Sequence, residues 1–328
     1  MGSYDELHAY VAEHQQNICQ IVANKDGETR YSDCWNGFQP GDALHVMSVT
    51  KSVTSLLIGV AIDQGLIEGV GQRVLDFFPE YAVKRGEKTA QSVTIEHLLT
   101  MTAPYKYRSE PWTKICTSEN WTKATLDILG GKAGLTDTFR YSTLGVHILT
   151  GILARVSGMT TVEYANRYLF LPIGAAAHHN YEALTQQEHK AFILSRQPKG
   201  NIWFADPQGV GTAGYGLCLS AADMAKIGQL CLDEGVGNGK RIVSASWILE
   251  STRPRRRCGE DFARMGYGYL WLTPDMDMPA YAALGNSGNV IYVNPERNVV
   301  VAVTGTFKPT VLDRVRFIEE YIEPLLDA

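Results

Sequence analysis

The sequence predicts an α/β (α+β) fold in which strands from both chain ends share one sheet and a helical block is inserted between them. Three observations carry this. Near the N-terminus, "ICQIVANKDGETRYSDCWNGF" places two β-rich runs around the turn "NKDGE". From about Leu66 to Asp233 most apolar residues recur at helical spacing. Beyond that, "YGYLWLT" and "NVIYVNPERNVVVAVTG" return to β-branched and aromatic residues, and "NPERN" turns the second of these into a hairpin. The expected partition is an α/β domain from residues 1–66 and 236–328, a mainly helical domain from 67–235, and a site between them.

The elements follow in order. "YDELHAYVAEH" has helical spacing, with Leu7, Tyr10 and Val11 on one side. After the first two strands, Val49, Val53, Leu56, Leu57 and Val60 recur at i, i+3 and i+4, and Gly65 stops that helix. Thr94 caps "TIEHLLTM". Gly158 ends "TLGVHILTGILARVSG", and Pro172 with Gly174 closes "TVEYANRYLFLPIG". Ser220 with Asp223 three residues on resembles a capping box. "TVLDRVRFIEEYIEPLL" is expected to close the chain as an amphipathic helix.

Composition narrows the function. The 328 residues are 45% hydrophobic and 20% charged, with a formal net charge of −5. That is ordinary for a globular chain and leaves no basic footprint for nucleic acid. No apolar run reaches membrane-spanning length; the longest candidate is broken by Asp63 and Gln64. No basic start precedes an apolar run, so a cytoplasmic location is expected. Six cysteines, at 19, 34, 116, 218, 231 and 258, contain no C-x-x-C pair and are expected to be free thiols with no zinc site. His178 and His179 are adjacent and cannot share a helix face. "GVGTAG", Gly209 to Gly214, matches G-x-G-x-x-G but follows no clear strand; it is expected to be a loop bordering the cleft. "RPRRR", Arg253 to Arg257, is expected to be a solvated loop.

The chemistry is carried by "MSVTKSVTSLLIGVAIDQG". Ser48 and Lys51 stand at i and i+3, one turn apart on the same helix face. At a helix start, the serine hydroxyl sits by the positive end of the dipole, where backbone N–H groups can meet a developing anion. A serine needs a base to become a nucleophile. A lysine serves only when neutral, and burial on an apolar helix pushes it that way.

"MSVTKSVTSLLIGVAIDQGLI", "VLDFFPEY", "VTIEHLLTMTAPY", "FRYSTLGVHILTGILARVSGMTTVEYANRYLFLPIG" and "GNSGNVIYVNPERNVVVAV" occur in this order. Together they resemble the serine hydrolases of the class C β-lactamase, penicillin-binding protein and esterase superfamily, in particular its 6-aminohexanoate-dimer hydrolase-like branch. The resemblance runs from about Ile18 to the end. It implies the β-lactamase/transpeptidase-like fold, with a mainly antiparallel sheet flanked by helices plus a helical domain. It makes Ser48 the nucleophile, Lys51 the base and Tyr141, in "YST", the proton relay. The oxyanion hole would be the backbone N–H groups of Ser48 and Asn289.

Thr143 stands where the family has asparagine, and Asn286, Ser287 and Gly288 stand where it has K-T-G or H-x-G. Asn286 carries no positive charge and Thr143 no amide, so the groups that recognise penicillin are missing. Thr143, Asn286, Ser287 and Gly288 are candidates for substrate binding. "TAPYKY" adds Tyr105 and Tyr107, with Lys106 between them, at the cleft border. The expected reaction is acyl transfer to water from a small ester or amide. A β-lactamase or D-alanyl-peptidase, and a non-catalytic binding relative, are the alternatives. No metal or cofactor is implied, no membrane or nucleic-acid partner is expected, and oligomeric state is open.

Overall fold

A computed structural model describes residues 2–183, 185–277, 279–309, 311 and 313–327. Its centre is an eight-stranded sheet. The strands are β1 (Ile18–Lys25), β2 (Glu28–Cys34), β3 (Arg256–Arg257), β4 (Gly266–Tyr267), β5 (Leu272–Thr273), β6 (Tyr281–Gly285), β7 (Asn289–Asn294) and β8 (Val299–Gly305). They lie in the order β2-β1-β8-β7-β6-β5-β4-β3, with every neighbouring pair antiparallel. Both chain ends therefore feed one sheet, as the β-rich termini predict. The two-residue turn between β1 and β2 has positive φ at Asp26 and Gly27, the geometry that matches the twist of a tight hairpin.

Alternation along the strands separates two cores. Val290, Tyr292, Val299, Val301 and Val303 pack with Leu7 and Val11 of α1 (Tyr4–His14) and with Val315, Ile318 and Ile322 near the C-terminus. Ile291, Val293, Val300 and Ala302 face the opposite way, into the larger core. Both faces are covered, so β7 and β8 are buried along their whole length and read as nearly continuous apolar runs. The C-terminal helical path runs from Arg314 to Asp327 through α, π and 3-10 turns. Thr310 and Leu312, also in the predicted closing helix, lie outside the described residues.

On the larger-core side sits α2 (Val49–Asp63). The apolar spacing predicts one buried face, but every residue from Val49 to Ala61 is buried. The helix lies between the sheet and the helical segments, so it is enclosed all round. Its hydroxyls bond out to both sides: Ser52 Oγ donates to the Leu270 carbonyl at 2.6 Å and Thr54 Oγ1 reaches the Ala213 carbonyl at 3.2 Å. The helix α3 (His147–Ser157) ends at Gly158 as expected.

The helix α4 (Ala221–Leu232) begins at Ser220, whose side chain accepts the Asp223 N–H. Asp223 does not complete a capping box; its carboxylate takes the Ala176 N–H and the Lys226 ammonium instead. Although α4 falls within 67–235, it packs on the sheet: a Cβ on Gly228 would meet Val300 and Ile291 at 2.5 and 2.8 Å. The six cysteines are free thiols. No helix among the described residues is long and apolar enough to cross a membrane.

Candidate active site

The chain enters α2 through a sharp turn. Met47 has φ 52, a left-handed conformation that a non-glycine residue holds only when its surroundings impose it. The Met47 carbonyl accepts from Thr50 Oγ1 at 2.7 Å, which fixes the turn. Ser48 follows as the N-cap residue, half-buried, with no side-chain capping bond. Its hydroxyl is therefore not consumed by the helix end.

Lys51, one turn on, is 2% exposed. Its Nζ lies 3.0 Å from Ser48 Oγ, 3.3 Å from Thr143 Oγ1 and 2.7 Å from the Gly214 carbonyl oxygen. Three oxygens thus surround this one nitrogen. Among the described residues no carboxylate lies within ion-pair distance of it. The Tyr141 ring covers the same nitrogen, with its centroid 4.6 Å away. Tyr141 is held from behind by Phe262, with ring centroids 4.7 Å apart. Its ring, not its hydroxyl, makes the contact with Lys51. The first two predicted motifs thus meet on one buried nitrogen.

The "YST" turn has its own support. Ser142 Oγ lies 2.6 Å from the Tyr107 hydroxyl, donates to Glu110 Oε1 at 2.9 Å and accepts the Gly145 N–H at 2.8 Å. Glu110 Oε1 also takes the Leu144 N–H at 2.9 Å. Tyr105 is buried and stacks on Tyr107, with ring centroids 5.4 Å apart. Burial raises both tyrosine hydroxyls above their ordinary pKa, so they stay protonated donors. Both tyrosines expected at the cleft border therefore lie behind the turn that carries Thr143. Lys106 is turned to Glu87, 3.3 Å away.

The "GVGTAG" segment supplies the third acceptor for Lys51. Gly214 packs so closely on Thr143 that a Cβ there would lie 2.4 Å from the Thr143 carbonyl oxygen. The loop is tied down by His45, whose Nε2 accepts the Gly216 N–H at 2.9 Å. Burial pushes the His45 imidazole down to a pKa of about 3, which keeps that nitrogen an acceptor. The sequence marks none of Glu110, Gly214 and His45 as a site residue. Gly214 ends the glycine-rich match expected to border the cleft; Glu110 and His45 carry no motif.

The "NSGN" turn joins β6 to β7. The strand meets the start of α2 at Gly285: a Cβ there would lie 2.2 Å from the Val46 carbonyl and 3.2 Å from the Ser48 backbone nitrogen. Asn286 is exposed, whereas Ser287, Gly288 and Asn289 are buried. Ser287, at φ 72, turns its hydroxyl to the Lys308 N–H at 2.9 Å, and its carbonyl accepts from Asn17 Nδ2 at 2.7 Å. Asn289 Oδ1 accepts the Gly305 N–H at 2.9 Å. Gly288 backs onto the buried Arg314 guanidinium, which burial pulls down to a pKa of about 10. Of the four residues, Asn286 alone is open to solvent.

A family model described as Beta-lactamase matches residues 7–319. The chain is 29% identical over 287 residues to 6-aminohexanoate-dimer hydrolase of Paenarthrobacter ureafaciens, which covers 81% of this chain and 66% of that protein. The chain thus spans just under two thirds of that relative. Among solved structures, a family VIII carboxylesterase is 21% identical and superposes with a TM-score of 0.71, covering 96% of this chain and 94% of that one. A class C β-lactamase from Rhodobacter sphaeroides is 16% identical with a TM-score of 0.69, covering 98% of each chain. At those identities the two structures speak for the fold alone, which is β-lactamase/transpeptidase-like. The family match spans nearly the whole chain and includes every motif that meets at Lys51, so this chain belongs to the Beta-lactamase family.

Proposed function

We propose that the protein is a serine hydrolase that cleaves a small ester or amide through an acyl-enzyme on Ser48. The observation that carries this is the 3.0 Å contact between Ser48 Oγ and the buried Lys51 Nζ. In this reading the Lys51 amine takes the proton of Ser48 as Oγ attacks the carbonyl carbon. Tyr141 passes a proton to the leaving group, and water then attacks the acyl-enzyme with the same groups reversed. Thr143 and the Gly214 carbonyl hold the Lys51 nitrogen toward Ser48. Tyr105, Tyr107 and Glu110 support Thr143 and need not touch substrate.

The oxyanion needs two N–H groups beside the nucleophile. Ser48 supplies one. Asn289, the partner expected from the motif, is fully buried on the strand beyond Gly285. The contact of Gly285 with Ser48 and the exposure of Asn286 favour the Asn286 N–H as the second donor. Similarity to 6-aminohexanoate-dimer hydrolase supports a linear amide as one substrate class, and esters share the same tetrahedral chemistry. The neutral Asn286 offers no cation for the carboxylate of a β-lactam.

The test is to incubate the protein separately with a fluorophosphonate, a short p-nitrophenyl ester, a linear dipeptide-like amide and a labelled penicillin, reading intact mass and turnover. The expected result is Ser48-dependent turnover of ester or amide with little penicillin adduct. Ser48→Ala should lose several orders of magnitude, as much as about 10⁶. A long-lived penicillin adduct would replace this reading with a penicillin-binding one. Folded protein that no probe labels would leave a non-catalytic binding relative.

A further inference from the structure

A cavity of about 980 Å³ opens between the segments 84–89, 102–106 and 130–140. None of Ser48, Lys51, Tyr141 and the 285–289 turn lines it. Its wall carries six cations, Lys84, Arg85, Lys88, Lys106, Lys132 and Arg140, and a single carboxylate, Glu87. In a chain whose formal net charge is −5, this is a local reversal of sign.

That carboxylate does little to neutralise the rim. Glu87 Oε1 accepts the N–H groups of Ala90 and Gly131 at 3.0 and 3.3 Å, and Oε2 faces Lys106 at 3.3 Å. Those backbone bonds and Lys106 hold the Glu87 carboxyl below its ordinary pKa against its partial burial. Arg140 is fixed at the back, donating to the carbonyls of Tyr105 and Tyr107 and lying 4.7 Å from the Tyr107 ring centroid. Lys84, Arg85, Lys88 and Lys132 remain, and no carboxylate of the described residues lies within ion-pair distance of them. Other surface cations do have partners, such as Arg155 with Glu80 and Arg257 with Asp275. The cavity floor, Thr102 to Tyr105, carries no charge.

We propose that this cavity binds a small polyanion bearing two or more phosphate or carboxylate groups, at a site separate from the acyl-enzyme centre. Lysine and arginine recognise both groups through charge-assisted hydrogen bonds. A concave cleft between three segments, and a volume within the range of small-molecule sites of roughly 300–1,000 Å³, favour a compact ligand over a polymer lying across a flat patch. The four unpaired cations close on the anion from the rim, while Arg140 and Lys106 set the potential at the back.

The experiment is calorimetric titration of the intact protein with sodium tripolyphosphate and, separately, with citrate, at low and at moderate salt. The variants are Lys84→Ala/Arg85→Ala/Lys132→Ala and a control, Lys114→Ala/Lys240→Ala, whose lysines are exposed elsewhere. The expected result is one-site binding of at least one probe. It should weaken with salt, by about tenfold or more in the triple variant, and be unchanged in the control. Binding of tripolyphosphate alone would assign the site to phosphates, and of citrate alone to polycarboxylates. No saturable heat with either probe, or an equal loss in the control, would overturn the proposal. All the substituted side chains are exposed, so circular dichroism should show each variant folded, and none of the readouts depends on hydrolysis.

Discussion

The two sides of the cleft that meet at Ser48 are built in opposite ways. On the side of α2, side chains point inward: Ser48, Lys51 and Thr143 converge on one another, and the backbone serves mainly to place them. On the side of β6 and β7, side chains point away. Ser287 and Asn289 are spent on the backbone N–H groups of Lys308 and Gly305, and Gly285 has no side chain at the point of closest approach. The difference teaches how each motif tolerates change. In the proposed reaction the first side gives the reacting groups, so its residue types matter. The second gives a backbone edge, so its shape matters, and K-T-G, H-x-G and "NSG" can all supply it.

The comparison breaks most visibly at Gly285. Adding side-chain atoms should push the Val46 carbonyl and the Ser48 nitrogen away from the strand. A displacement near 1 Å in an active site costs on the order of a hundredfold. Gly285→Val should therefore lower kcat/KM by about that factor or more while leaving Lys51 and Tyr141 intact. Measured turnover within threefold of wild type would show that the strand edge does not set the nucleophile's position.

Acid is the next largest perturbation. His45 and His147 are both buried and held neutral, with pKa values pushed down to about 3 from 6.5. The unfolded chain protonates them below pH 6.5, so it binds more protons than the fold, and stability falls as pH drops from 6.5 toward 3. By pH 4.5 each could cost on the order of 2–3 kcal/mol. His45 should also lose its bond from the Gly216 N–H, freeing the loop that carries Gly214. A thermal melt series from pH 7 to 4 should show the midpoint falling steadily, with a shallower slope in His147→Gln. A flat profile would refute the assignment of neutral imidazoles.

Much of the fold was legible because its signals are local. The β1–β2 turn, the Ser48 helix start, the Gly158 stop and the β7–β8 hairpin each rest on a few adjacent residues. The contact between Ser48 and Lys51 was legible for the same reason, since i and i+3 on a helix is a local relation. What could not be read depends on long-range contacts. The full burial of α2 follows from what packs on its polar side, including the carbonyls of Ala213 and Leu270. Gly214 reaches Lys51 across 163 positions and Glu110 reaches Ser142 across 32. Neither spacing has a period to betray it. The Asn289 expectation took the residue after the motif glycine; only the closed hairpin shows that it is buried and that Gly285 abuts Ser48.

A smaller effect sharpens the backbone-edge half of the comparison. Asn289→Ala leaves the Gly305 N–H buried without its acceptor. An orphaned buried donor costs about 1–3 kcal/mol. The expected outcome is a lower unfolding midpoint in urea, with activity per folded molecule falling far less than in Gly285→Val. A loss of activity as large as that of Gly285→Val would instead show that the bond from Asn289 Nδ2 to the Asn286 carbonyl, 2.9 Å long, positions the strand edge.

Glu110 tests whether the inward-pointing side needs its own scaffold. Its carboxylate gathers Ser142 Oγ and the Leu144 N–H onto one oxygen, and these flank Thr143, whose hydroxyl lies 3.3 Å from Lys51 Nζ. Glu110→Gln keeps the shape and one carbonyl acceptor but weakens two charge-assisted bonds, which are worth roughly twice their neutral counterparts. The turn should loosen by a fraction of an ångström, and Thr143 should hold Lys51 less firmly. The expected loss is about tenfold in kcat with KM nearly unchanged, because the missing order concerns the Lys51 nitrogen and not the substrate's binding surface. Glu110→Asp, which keeps the charge on a shorter arm, should recover part of it. A purely structural role would lower the unfolding midpoint in both variants and leave kcat alone; equal loss of kcat in the two would show that reach, and not charge, holds the turn.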